Sequence, residues 1–241
     1  MPGITNGVGA ALRTGPIPTA DTDDVALTFF TDAEAITVEA VGERIIPADG
    51  DEPGATDAGV VYYIDRAVAG FSTRLQRPYR LGLRELDRWC VDTHGAPFRN
   101  LDTLTQDAVV AEFLGDPVEP SLEGPVTEPN GRQVAEGGRD TLLLRRLFAI
   151  LREHVIEGYF CDPAYGGNRG TVGWKLVGFP GAQWGYTAAQ MQPGFDAGSI
   201  PITTLSDLRR QLAELPPNEH YTSAAIAPED VITIDTEEHR S

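Results

Sequence analysis

The sequence predicts a mainly α-helical protein, a bundle-like domain of five to six helices with a Gly/aromatic-rich loop and extended N- and C-terminal arms. Three observations predict it. Apolar residues recur at intervals of three and four through five separate segments, the spacing that places them on one face of a helix. Strands and helices do not alternate as they would in a Rossmann unit, and the chain carries no internal repeat. Pro- and Gly-rich stretches, which stop helices, separate the periodic segments.

Residues 1–28, rich in Gly, Pro, Thr and Asp, carry no hydrophobic period and read as an extended arm. Thr31 and Glu34 then match a capping box, with Phe30 before the cap as a staple. Ile36, Ala40, Val41 and Ile45 mark the face of this first helix, which ends at Pro47 and "ADGDEPGATD". A second helix is expected from about Asp57 to Gly70, with Val60, Val61, Ile64 and Val68 on one side. The third runs from about Pro78 to Thr93, with Leu83, Leu86 and Cys90 on a stripe and Gly95 beyond its end. A fourth spans about Leu104 to Leu114, stopping at Gly115, and residues 115–138 form a patternless connector.

The fifth segment, "DTLLLRRLFAILREHVIEGYF", is the longest and most apolar. Its Leu143, Leu147, Ile150, Leu151 and Val155 suit the centre of a bundle. Gly158 is placed to close this helix, and Asp162-Pro163 to start a turn. A short helix near Ser206–Leu215 is ended by Pro216 and Pro217. The resulting division is an arm at 1–28, a helical domain at 29–186 and a C-terminal extension at 187–241.

Composition narrows the function. The chain of 241 residues carries 36 acidic and 19 basic residues, a net charge of −17, and such a surface repels the phosphates of nucleic acid. Lys175 is the one lysine beside 18 arginines. An acid-rich, lysine-poor composition favours a halophilic, high-salt cytoplasm, where screening lets like charges crowd. Arginine-favouring codon usage in a GC-rich genome is the alternative. No apolar run is long enough to span a bilayer, so no direct membrane insertion is expected. The two cysteines, Cys90 and Cys161, are too few for a disulfide framework or a four-thiolate metal site. The N-terminal residues show no export signal, so the chain is expected in the cytoplasm, or exported with a partner.

One stretch concentrates the information. "YFCDPAYGGNRGTVGWKLVGFPGAQWGY", residues 159–186, holds seven aromatic residues, seven glycines, Cys161 and Lys175. Its "GGNRGTVG" resembles a dinucleotide loop only superficially, because a helix precedes it and the G-x-G order is missing. His154, Glu157, Cys161 and Asp162 lie close enough to suggest a Cys–His nucleophile or a metal cluster. His94, His220 and His239 fall in unrelated loops and do not complete either. A loop that caps the bundle accounts for Tyr159, Phe160 and Trp174, and less readily for Tyr165, Phe179, Trp184 and Tyr186. Docking accounts for them all: Tyr, Trp and Arg dominate interface hot spots, and glycines permit close backbone approach. No catalytic, cofactor-binding or metal residue is assigned in this chain.

Two blocks, "FFTDAEAITVEAVGERIIPADGDEPGATDAGVVYYIDRAVAG" and "LREHVIEGYFCDPAYGGNRGTVGWKLVGFPG", resemble the gluconate 2-dehydrogenase subunit 3 family over residues 29 to 186. The second block is the more specific. The resemblance implies a non-catalytic small, or gamma, subunit that acts as chaperone and stabiliser. Its partner would be a large FAD-containing subunit of the glucose–methanol–choline (GMC) type, which oxidises a sugar or polyol. Some complexes of the family add a cytochrome c subunit, with haem c, or an iron–sulfur (Fe-S) cluster. Members often carry a twin-arginine leader, which these N-terminal residues do not match. Carried over onto the second block, Tyr159, Cys161, Asp162, Tyr165, Asn168, Arg169, Trp174 and Lys175 are expected to face the partner. Cys161 would be either a buried thiol or one end of an intersubunit disulfide. Two other readings stand beside this one: a small oxidoreductase acting through His154 and Cys161, and a free-standing carbohydrate-binding helical module stacking sugars on Trp174 and Trp184.

Overall fold

The computed structural model describes residues 26–114 and 141–215. Most of the N-terminal arm, the connector at 115–138 and the tail from Pro216 lie outside the described residues. Among the described residues seven α-helices follow in order: α1 Asp32–Ile45, α2 Val60–Ala69, α3 Gln76–His94, α4 Thr103–Leu114, α5 Thr141–Phe160, α6 Val172–Val177 and α7 Leu205–Glu214. Short 3-10 turns join them, and among the described residues the only β-pairing is two isolated bridges, Asp49 with Glu52 and Gly181 with Thr203.

Helix α5 is the axis of the bundle, touching α1, α2, α3, α4 and α6. Its Leu144, Leu147, Phe148, Ile150, Leu151 and Val155 are all buried, each contributing about 1.5–3 kcal/mol by leaving water. Leu143, expected at that centre, is half-buried at its edge. From α3 come Tyr79, Leu83, Leu86 and Cys90, and from α2 Val60, Val61, Ile64 and Val68. Helix α4 is held by a ring stack: Phe113 lies 5.7 Å from Phe148 and edge-on to Trp89 at 5.0 Å.

Helix α1 starts as its sequence predicts. Thr31 Oγ1 accepts the Glu34 N–H at 3.4 Å, and Glu34 Oε2 accepts the Thr31 N–H at 2.9 Å, which satisfies donors a helix start leaves orphaned. Its inward face differs from the expected one. Ala35, Val38, Val41 and Gly42 are buried, whereas Ile36 is 51% exposed. The helix is apolar on more than one side, so its partners, not its period, select the buried face. Phe30 turns onto Tyr79 of α3, with ring centroids 5.4 Å apart.

Ahead of α1, the buried Asp65 of α2 holds the chain. Its carboxylate accepts the backbone N–H groups of Thr28, Phe29 and Phe30 at 2.6, 2.9 and 2.7 Å. Arg80 closes the same corner: it pairs with Glu34, donates to the Phe29 carbonyl and lies 4.1 Å over the Phe29 ring. A carboxylate meeting three amide donors has its charge fully solvated by backbone, which makes its burial tolerable.

Candidate docking site

The Gly/aromatic stretch begins inside α5, because Gly158 is buried within the helix against Tyr63 and does not end it. The helix runs on to Phe160, and Asp162 then opens a 3-10 turn by accepting the Ala164 N–H at 2.9 Å. The chain doubles back over the end of α5 and enters α6. Two glycines allow this approach. A Cβ at Gly167 would stand 2.1 Å from the Gly158 carbonyl oxygen, and one at Gly173 would stand 2.1 Å from that of Tyr159. The glycines bring the backbone against α5 itself, where the sequence reading had given that close approach to a partner.

Asn168 ties the loop down. It is fully buried, with φ 47°, in the left-handed region that asparagine tolerates better than most residues. Its Nδ2 donates to the Cys161 carbonyl at 2.8 Å and its Oδ1 accepts the Gly173 N–H at 2.8 Å. One side chain thus closes the exit of α5 and positions the start of α6. Trp174 follows into the interior, donating its indole N–H to the Phe160 carbonyl at 2.7 Å. Tyr159 is likewise buried, its hydroxyl donating to the Pro53 carbonyl at 2.6 Å. Asp162 reaches forward, its second oxygen accepting the Leu205 N–H at 2.8 Å and fastening the start of α7.

Of the eight residues expected to face a partner, the structure therefore turns four inward. Tyr159, Asp162, Asn168 and Trp174 are between 0% and 8% exposed. These four side chains are covered by their own chain and hold the loop against α5 and α7. Tyr165 and Lys175 are exposed. Arg169 is half-buried, its guanidinium 3.9 Å over the Tyr62 ring and its backbone N–H donating to the Ala58 carbonyl.

Cys161 is half-buried as well, with Sγ 3.4 Å from the Gly158 carbonyl it donates to. Burial pushes its thiol up to about 12. These are surroundings that keep a thiol protonated, and of the two readings of Cys161 they favour the buried thiol over a bridge to another chain. His154 is a core residue: it shares a 2.9 Å hydrogen bond with the Tyr79 hydroxyl and stacks on that ring. Desolvation holds its pKa below the ordinary value. Beside it the Tyr63 hydroxyl donates to Glu157 at 2.8 Å, and burial, then that carboxylate, raises the tyrosine pKa. His154 and Cys161 are thus each engaged in separate hydrogen bonds. Among the described residues no group of three or more His, Cys, Asp or Glu side chains could hold a metal ion.

The surface lies just beyond. Phe160, Tyr165, Phe179, Trp184 and Tyr186 are between 38% and 66% exposed, joined by Leu176, Val177, Met191 and Phe195. From Trp184 to Ser199 every residue except Gln190 is exposed. Leu176, Val177, Met191 and Phe195 escape the sequence reading, which counts rings within residues 159–186. A signal was available: Leu176–Phe195 contains no charged residue, in a chain whose net charge is −17.

The family model described as gluconate 2-dehydrogenase subunit 3 matches residues 32–181, more than half of the chain. Both blocks of the resemblance fall within that span except for a few terminal residues. No curated protein and no solved structure matches the chain.

Proposed function

The chain belongs to the gluconate 2-dehydrogenase subunit 3 family, and on that premise we propose that it is a non-catalytic small subunit. It binds, stabilises and helps mature the large FAD-bearing subunit of a GMC-type sugar or polyol dehydrogenase. The observation that carries this reading is the row of rings left uncovered by the chain's own core, Phe160, Tyr165, Phe179, Trp184 and Tyr186. Several large apolar side chains left exposed within one segment of a folded protein favour a site that another molecule covers. Large rings held on an ordered loop supply contact area at little entropic cost.

Stabilisation follows by mass action. A subunit that binds the folded partner and not its unfolded chain raises the partner's stability as RT ln(1 + [L]/Kd), about 2.7 kcal/mol at a hundredfold excess over Kd. Flavin, substrate pocket and hydride transfer belong to the large subunit. Any cytochrome c subunit of the complex would take electrons from that flavin. The two competing readings draw less support from the geometry. Sugar stacking would have Trp184 but lacks Trp174, which is buried. An oxidoreductase working through His154 and Cys161 would need groups that here bond to Tyr79 and to a backbone carbonyl.

Expression of the large subunit with and without this chain tests the proposal. Co-expression is expected to raise the soluble, flavin-loaded yield of the large subunit, while the lone chain shows neither turnover nor flavin absorbance. Sugar oxidation by the lone chain, or an unchanged yield with no complex formed, would overturn it.

A further inference from the structure

Within the exposed surface one segment differs from the rest of the molecule. Leu176–Phe195 runs for twenty residues without a charged side chain, flanked by Lys175 and Asp196. Its polar members are glutamines and a threonine, and it presents Val177, Phe179, Trp184, Tyr186, Met191 and Phe195 at 39% to 69% exposure. Elsewhere the acidic excess keeps the surface hydrated. Here it is excluded over the full length of a ribbon.

The ribbon is also held in shape before anything binds. The Ala182 N–H donates to the Thr203 carbonyl at 2.7 Å, and the Thr203 N–H donates to that of Pro180 at 3.0 Å. Gln183 Nε2 donates to the Pro180 and Pro201 carbonyls. The Trp184 indole N–H donates to Gln211 Oε1 of α7 at 2.8 Å, which fixes that exposed ring. Phe179 rests edge-on against buried Trp174, 5.3 Å between centroids. Anchors fixed in advance lose little freedom on binding, which is the property of a hot spot.

We propose that Leu176–Phe195 is the recognition ribbon of this subunit, and that its occupant is an uncharged, apolar cleft on the large dehydrogenase subunit. The inference rests on the docking reading above and adds where the contact lies and what chemistry meets it. A basic cleft would find no carboxylate on the ribbon to pair with, and burying unpaired charge there is costly. A lipid surface is disfavoured because peripheral binding draws on clusters of basic residues near the apolar face, and the ribbon has none of its own, with Lys175 alone adjoining it in sequence in a strongly acidic chain. A second copy of the chain would bring another −17 against the first. An apolar contact between these subunits should therefore hold when salt screens charge.

The test uses the full chain and its large subunit in solution. Val177→Glu and Met191→Glu place a charge on the ribbon at exposed positions where the fold is not at stake. Leu104→Glu, at an 81% exposed position on α4, is the control. Each ribbon variant is expected to weaken assembly at least fivefold with an unaltered melting temperature for the lone chain, and the control by less than fivefold. Raising KCl from 0.05 to 1 M is expected to weaken the wild-type complex by less than fivefold. If the wild-type complex forms but tolerates both ribbon charges, the location is wrong while the accessory role stands. If salt dissolves it, the cleft is charged and the chemistry is wrong. Flotation of the lone chain with phosphatidylcholine vesicles, or self-association in sedimentation, that Met191→Glu abolishes would assign the ribbon to a membrane or a second copy. If the wild-type chain forms no complex, the accessory reading itself fails.

Discussion

Asn168 shows how one residue can carry a loop. Its fully buried side chain spans the Cys161 carbonyl, one residue past α5, and the Gly173 amide in the first turn of α6. Asn168→Ala would leave both backbone groups buried without partners and place alanine in a left-handed conformation. The expected loss is about 2–4 kcal/mol of stability by urea unfolding. Gly167→Ala should cost about 3 kcal/mol or more, because its Cβ would enter the space of the Gly158 carbonyl. The same scale governs Cys161. With its thiol pushed up to about 12, it should react with a disulfide reagent at pH 8 at least about tenfold more slowly than free cysteine. A non-reducing gel of the assembled complex should then show no linked species. That rings would crowd this loop was legible from residues 159–186. The bundle-capping reading names Tyr159, Phe160 and Trp174 as the rings that pack inward. Tyr159 and Trp174 do, bonded to the Pro53 and Phe160 carbonyls, whereas Phe160 stays 38% exposed, an outcome set by tertiary packing and not by local pattern.

The helices themselves were read in proportion to how local their causes are. Capping by Thr31 and Glu34 is a contact three residues long, and α5 is set by an apolar period, so both were visible. Helix α6 was not. Its six residues follow two non-glycine residues in left-handed conformations, Asn168 and Thr171, and it is placed by packing of Trp174 and Gly173 on α5. Asp65 likewise acts on a segment 35 to 37 residues away, beyond any local pattern. Packing between α3 and α5 also fixes a pH response. His154, stacked on Tyr79 and faced by Tyr63, is held below the ordinary histidine value of 6.5 by burial; Glu157 opposes that shift and Arg74 adds to it. The unfolded chain takes the proton first, so this contribution is complete above about 6.5 and declines as pH falls below it. The melting temperature should drop between pH 7 and 5. In His154→Gln, destabilised overall, that drop should be smaller.

Across the whole molecule, charge and apolar surface act separately. A net charge of −17 strains the folded state through self-repulsion. Screening shortens its reach from about 10 Å at 0.1 M salt to about 3 Å at 1 M. The lone chain should therefore melt at a higher temperature in 2 M KCl than in 0.1 M; an unchanged or lower midpoint would separate its composition from any adaptation to salt. The exposed ribbon at 176–195 belongs to the complex, and its consequence is measured on the partner. Thermal release of flavin from the large subunit, followed by fluorescence with and without an excess of this chain, tests the account most directly. Release should move up by several degrees and track the concentration of added chain. A release temperature indifferent to the chain at every concentration would contradict the stabilising role.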